Sequence, residues 1–235
     1  MEFEIDTALV EAILTHERQQ TSTELREHGA LSAYRNSLRR HDERLANATD
    51  APTLACKAGC FWCCYFSVDV RPVEVFNILE FMHAQFTDEE RARVKNEVES
   101  NSALLRNLSE LERARRNIKC PFLVAGRCSI YTARPQTCRN YHATDAAGCQ
   151  KSFEEPENLD IDPEFAPSVY QAGGAHVDAF SKAMLDAGYD IGAYELNLAL
   201  KEALADPSTA RERFESKRRV FAVNRLDVTF EFIES

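Results

Sequence analysis

No apolar run in this 235-residue chain approaches the roughly 20 residues that span a bilayer, and the opening MEFEIDTALVEAIL carries acids where a secretion signal would carry Lys or Arg. Basic excess is missing as well. With 28 Lys and Arg against 38 Asp and Glu the net charge is -10, which repels a phosphate backbone and argues against nucleic acid as a partner. There is no Gly-rich phosphate loop, no nucleophile elbow and no HExxH. The stretch QAGGAH, Gln171 to His176, lacks the strand that a nucleotide loop needs before it and reads as a helix break or hinge. Internal repeats and low-complexity tracts are absent. These absences read as a cytoplasmic protein without a membrane partner, and 235 residues bury enough core that no metal is needed merely to rescue a tiny fold.

What is present is cysteine. The stretch CKAGCFWCC, residues 56 to 64, holds Cys56, Cys60, Cys63 and Cys64, and Cys120, Cys128, Cys138 and Cys149 follow, all in the middle of the chain. In a reducing compartment eight such thiols argue for metal ligation over disulfides or inert packing. All eight are candidate ligands, of an iron-sulfur cluster or of zinc.

The flanks read as helix. Ala8, Leu9, Ala12, Ile13 and Leu14 form an apolar stripe, a break follows near Gly29, and AYRNSLRRHDERLANA reads as a second helix of a hairpin. Pro72 suits a first helical turn before VEVFNILEFMHAQF, and Thr87 to Glu90 is a capping box that opens a long charged helix towards Asn117. CPFLVAGRCSIYTARPQTCRNY offers at most a small hairpin turning at Ala125 and Gly126. After the acidic FEEPENLDIDPEFAP, helices are expected over Val169 to Ala187, Ala193 to Ala205 and Thr209 to Val220, with a last strand in LDVTFEFI. The expected fold class is therefore mainly α, a helical domain with a cysteine-rich, loop-rich metal-binding insert. Its parts are an N-terminal hairpin over 1–50, a cysteine-cluster region over 51–155 and a C-terminal helical region over 156–235, within one compact domain.

Cys60 and Cys63, at i and i+3, form an ordinary chelating pair, and Cys56 one turn earlier can join them. Adjacent side chains project differently, so Cys63 and Cys64 serve two sites, or one ligand and one supporting thiol. On that reading Cys64 faces Cys120, Cys128, Cys138 and Cys149. The single downstream cysteines do not form the paired CxxC knuckles of a zinc ribbon. Phe61, Trp62, Tyr65 and Phe66 either wrap a cluster in apolar surface or pack as core. Arg134 and Arg139 flank Cys138 and either offset thiolate charge or make salt bridges. His142 is left outside the ligand set, and His16, His28, His41, His83 and His176 are given no role.

CKAGCFWCC, CPFL, GRCSIYTARPQTCRNY and Cys149 together resemble the YkgJ or CxxCxxCC family of zinc- or iron-chelating domains over about residues 52 to 150. Each of that family's eight cysteines has a counterpart here, although three residues separate Cys56 from Cys60. The resemblance implies metal as the cofactor and the eight cysteines as ligands. A related signature occurs in flagellin lysine N-methylases. The spacing CxxxCxxC is also locally similar to that of radical S-adenosylmethionine enzymes, whose repeated strand-to-helix units this chain lacks. Three functional classes follow: a protein that carries, stores or senses iron or zinc, with its helices as surface for a protein partner; an iron-sulfur methyl or redox transferase; and a structural zinc module of a larger assembly.

Overall fold

The computed structural model describes residues 4–57, 59–226 and 230–233. Helix α1 (Thr7–His28) starts where the Asp6 carboxylate accepts the Leu9 amide at 3.0 Å, and Gly29, at φ 77°, turns the chain directly into α2 (Ala30–Asn47). The expected hairpin forms, and α8 (Pro167–Asp186) packs against both of its helices. Val10 and Ile13 of α1 meet Ala172 and Ala175 of α8 in a small apolar cluster.

The second layer holds α3 (Pro72–Gln85), α4 (Asp88–Leu105), α9 (Leu196–Ala205) and α10 (Pro207–Glu215). Strand β1 (Asp69–Val70) pairs antiparallel with β4 (Tyr194–Glu195), bringing the residues just after the cysteine knot onto the start of α9. The main core runs through both layers, from Tyr34 and Leu38 to Val73, Phe76, Val98, Phe180, Leu200 and Phe214. Phe122 and Ile130, from between the downstream cysteines, belong to the same core and are 1% exposed. Each contributes on the order of 1.5–3 kcal/mol of burial, so this segment is anchored by more than its thiols.

The sequence reading is corrected at three places. The charged helix opened by Thr87 does not reach Asn117: it ends at Leu105, and Ser109 caps a separate short helix, α5 (Glu110–Ala114), by accepting the Glu112 amide. A second S-x-x-E capping box outcompetes helix continuation there. QAGGAH is neither break nor hinge, since it lies inside α8. Its glycines permit close packing: a Cβ on Gly173 would collide with Asn140 Oδ1, and one on Gly174 with the Phe232 ring. Of the strand expected in LDVTFEFI, Leu226 makes one antiparallel bridge to Ala193, residues 231–233 are bends, and 227–229 lie outside the described residues.

Candidate metal centre

The cysteines sit on short elements that need outside support. Gly59 takes φ 92°, which a side chain would resist, and the Cys60 amide closes on the Lys57 carbonyl at 2.9 Å. Cys63 and Cys64 lie on a 3-10 turn, Trp62–Tyr65. The Cys120 amide donates to the Cys64 carbonyl at 2.8 Å and the Ile118 amide to the Tyr65 carbonyl at 2.9 Å, lacing the downstream segment onto the knot. Cys128 ends strand β3 (Arg127–Cys128), paired with β2 (Leu123–Val124) across Ala125 and Gly126, both at positive φ as the expected tight turn requires. Cys138 rides on α6 (Gln136–Asn140) and Cys149 on α7 (Ala146–Glu154), which Asp145 caps by accepting the Ala147 and Gly148 amides. The Cys56 thiol donates to the Ala143 carbonyl at 3.9 Å.

Among the described residues, seven of the eight cysteines line one cavity of about 860 Å³: Cys56, Cys60, Cys63, Cys64, Cys120, Cys128 and Cys138. Cys149 is buried, 5% exposed. All eight are free thiols. Their mutual electrostatics sort them into two sets. Burial, then repulsion from Cys56, Cys60 and Cys63, pushes the Cys149 thiol up to about 12. Cys56 is likewise raised, first by burial and then by Cys60 and Cys63, against an opposing backbone hydrogen bond of Ala143. On the other side burial raises Cys120 and Cys138 well above the usual thiol value, with Cys63 and Cys128 adding to it at both. Cys63 itself is driven up first by its hydrogen bond with Cys64 and then by burial. Cys63 is therefore the thiol that influences both sets, and Cys149 is coupled to Cys56 and Cys60 instead of the downstream group to which the sequence reading gave it. The reason is α7, which carries Cys149 back beside the knot.

Such thiols stay protonated until a cation compensates their charge, so the donor set matches a thiophilic metal and not a hard oxygen-seeking ion. Amide groups already point at the sulfurs. The Phe122 amide at Cys120 and the Ile130 amide at Cys128 favour the thiolate form. Among the described residues no group of three or more His, Cys, Asp or Glu is drawn together closely enough to hold an ion; the thiols share a cavity without forming a closed coordination shell.

The flanking groups divide. Arg139, 5% exposed, is a structural clamp: it pairs with Asp42 of α2 and donates to the carbonyls of Thr132 at 2.7 Å and Arg134 at 3.2 Å. Arg134 faces the thiols, its positive charge favouring the thiolates of Cys56, Cys63, Cys128 and Cys138. His142 is held by backbone, Nδ1 to the Asn140 carbonyl at 2.7 Å and Nε2 to Ala166 at 3.3 Å. Trp62 and Tyr65 pack on Phe153 of α7, and Phe61 on Trp62, in a half-buried aromatic group outside the main core. Phe66 alone of the four aromatics lines the cavity.

Residues 55–162 match the CxxCxxCC family, described as a "putative zinc- or iron-chelating domain". Over these residues, somewhat less than half of its length, the chain is similar to that family. No curated protein and no solved structure matches the chain. That description supports metal binding, of zinc or iron, through the cysteines.

Sequence reasoning missed a buried polar cluster beside this domain. Glu17 of α1 is fully buried and accepts from Arg40 Nε at 2.8 Å, Arg44 at 2.7 Å, Ser37 at 2.8 Å and Thr21 at 3.0 Å. Because the Ser37 hydrogen goes to Glu17, His176 Nε2–H donates to Ser37 Oγ at 2.9 Å and its Nδ1 accepts from Arg44. His41 stacks on His176 with ring centroids 4.5 Å apart. These two histidines were given no role from sequence. The available signal was Arg40, His41 and Arg44 crowded on one helix; their acidic partner lies across the hairpin.

Proposed function

We propose that the chain binds a polynuclear iron centre, an iron-sulfur cluster, and serves as an iron-handling protein whose flanking helices form the surface for a partner. The observation that supports this most is Cys63, electrostatically shared between Cys56, Cys60 and Cys149 on one side and Cys120, Cys128 and Cys138 on the other. A mononuclear site takes four ligands, and the seven thiols on one cavity exceed that number, as a polynuclear centre requires. The eight cysteines are the proposed ligands and supports, with the amides of Phe122 and Ile130 and the charge of Arg134 stabilising the thiolate form. A bound cluster would supply electron transfer or an open iron coordination position. Anaerobic purification with iron, zinc and acid-labile sulfide analysis tests the reading. Iron with equivalent sulfide supports it; stoichiometric zinc without sulfide replaces it with the structural zinc module.

A further inference from the structure

The cavity is larger than a thiolate centre needs. A volume of about 860 Å³ falls in the range of roughly 300–1,000 Å³ occupied by organic ligands. Part of its wall is apolar, including Leu45, Leu54, Phe66 and Val169. Its charge is opposite to that of the chain. Lys57, Arg127 and Arg134 line it, and among the described residues Asp42, already paired with Arg139, is the one carboxylate on the wall. In a chain of net charge -10 that is a local inversion. Arg134 lies with its guanidinium 3.9 Å from the Tyr131 ring centroid, and its buried Nε has no hydrogen-bond partner among the described residues. Because that Nε is shielded from solvent, a ligand in the cavity meets the rest of the guanidinium, whose charge and planar N–H groups match a carboxylate.

We propose that this cavity binds a small organic carboxylate beside the thiol centre, with Arg134 receiving the carboxylate and Leu45, Leu54, Phe66 and Val169 the apolar body. The site shares the cavity assigned to the metal and so rests on that reading for its neighbour, not for its own chemistry. The three cations attract the anion, and the apolar wall selects a ligand with a hydrocarbon portion over a bare inorganic ion.

The test is calorimetric titration of the full chain, purified anaerobically, with octanoate and with octan-1-ol, beside metal analysis of the same samples. Octanoate is expected to bind at least about tenfold more tightly than octan-1-ol, roughly 1.4 kcal/mol. Arg134→Gln should abolish that preference and Arg134→Lys should retain part of it. Equal affinity for the two probes, or an unchanged preference in Arg134→Gln, overturns the proposal. So does an Arg134→Gln chain that loses its metal together with octanoate binding, which would assign Arg134 to the thiolates alone. Should Arg134→Gln fail to fold, the octanoate to octan-1-ol ratio on the native chain decides. A metal-free native chain that prefers octanoate contradicts the metal centre and leaves the anion site standing, and a metal-loaded chain without the preference does the reverse.

Discussion

His41 Nε2–H donates to Asn140 Oδ1 across 2.6 Å, joining α2 of the hairpin to α6, two residues beyond Cys138. Asn140 is wedged there because Gly173 of α8 leaves room for it. Gly173→Ala is expected to displace Asn140, lowering stability by about 1–3 kcal/mol as overpacking does, and to weaken metal retention through Cys138. Thermal melting and metal content of the variant check this. An unchanged melting temperature with full metal would show that Asn140 tolerates the methyl group.

Glu17 is the hub of the hairpin. Burial alone would raise its carboxyl, but the bonds from Arg40, the nearby His176 and the bond from Arg44 outweigh that and hold it far below the usual carboxylate range. Glu17→Gln leaves the partly buried Arg44 without its anion and Arg40 with Glu24 alone, and should cost about 3–5 kcal/mol. Urea denaturation measures it.

The stacked histidines give the fold an acid limit. Burial is the largest influence on His41 and pulls it from 6.5 to about 4. The unfolded chain therefore takes up that proton first, so the stability contributed by neutral His41 is complete above about pH 6.5 and falls as pH drops towards 4. Chemical denaturation across that window should show the slope, and His41→Asn should flatten it.

Much of this architecture was legible in sequence because its signals are local. Gly29, Pro72, the Thr87 capping box and the Ala125–Gly126 turn each act within a few residues, and each appears where expected. The cysteine motif placed the domain for the same reason. What escaped depends on residues far apart in the chain: Glu17 with Arg40 and His176, Asn140 under Gly173, and Cys149 carried beside Cys56 by α7. No periodicity encodes those meetings. QAGGAH looked like a break because glycine lowers helix propensity, but close packing by Asn140 and Phe232 overrides that cost.

Chelation should loosen the domain unevenly. Among the described residues the knot from Cys56 to Cys64 holds no side chain of the main core, whereas Phe122 and Ile130 anchor the downstream segment. Trypsin is expected to cleave after exposed Lys57 faster once metal is removed, with little change after exposed Arg127, which lies between Phe122 and Ile130. Equal acceleration at both sites would mean that metal, not the core, holds the downstream segment.

The central claim is that the cysteines form one centre with Cys63 common to both sets. Iron, zinc and sulfide per chain should be measured in anaerobically purified native protein and in Cys63→Ser. The account predicts bound metal in the native chain and loss of essentially all of it in Cys63→Ser. A native chain without metal, or a Cys63→Ser chain that keeps its full complement, would contradict it.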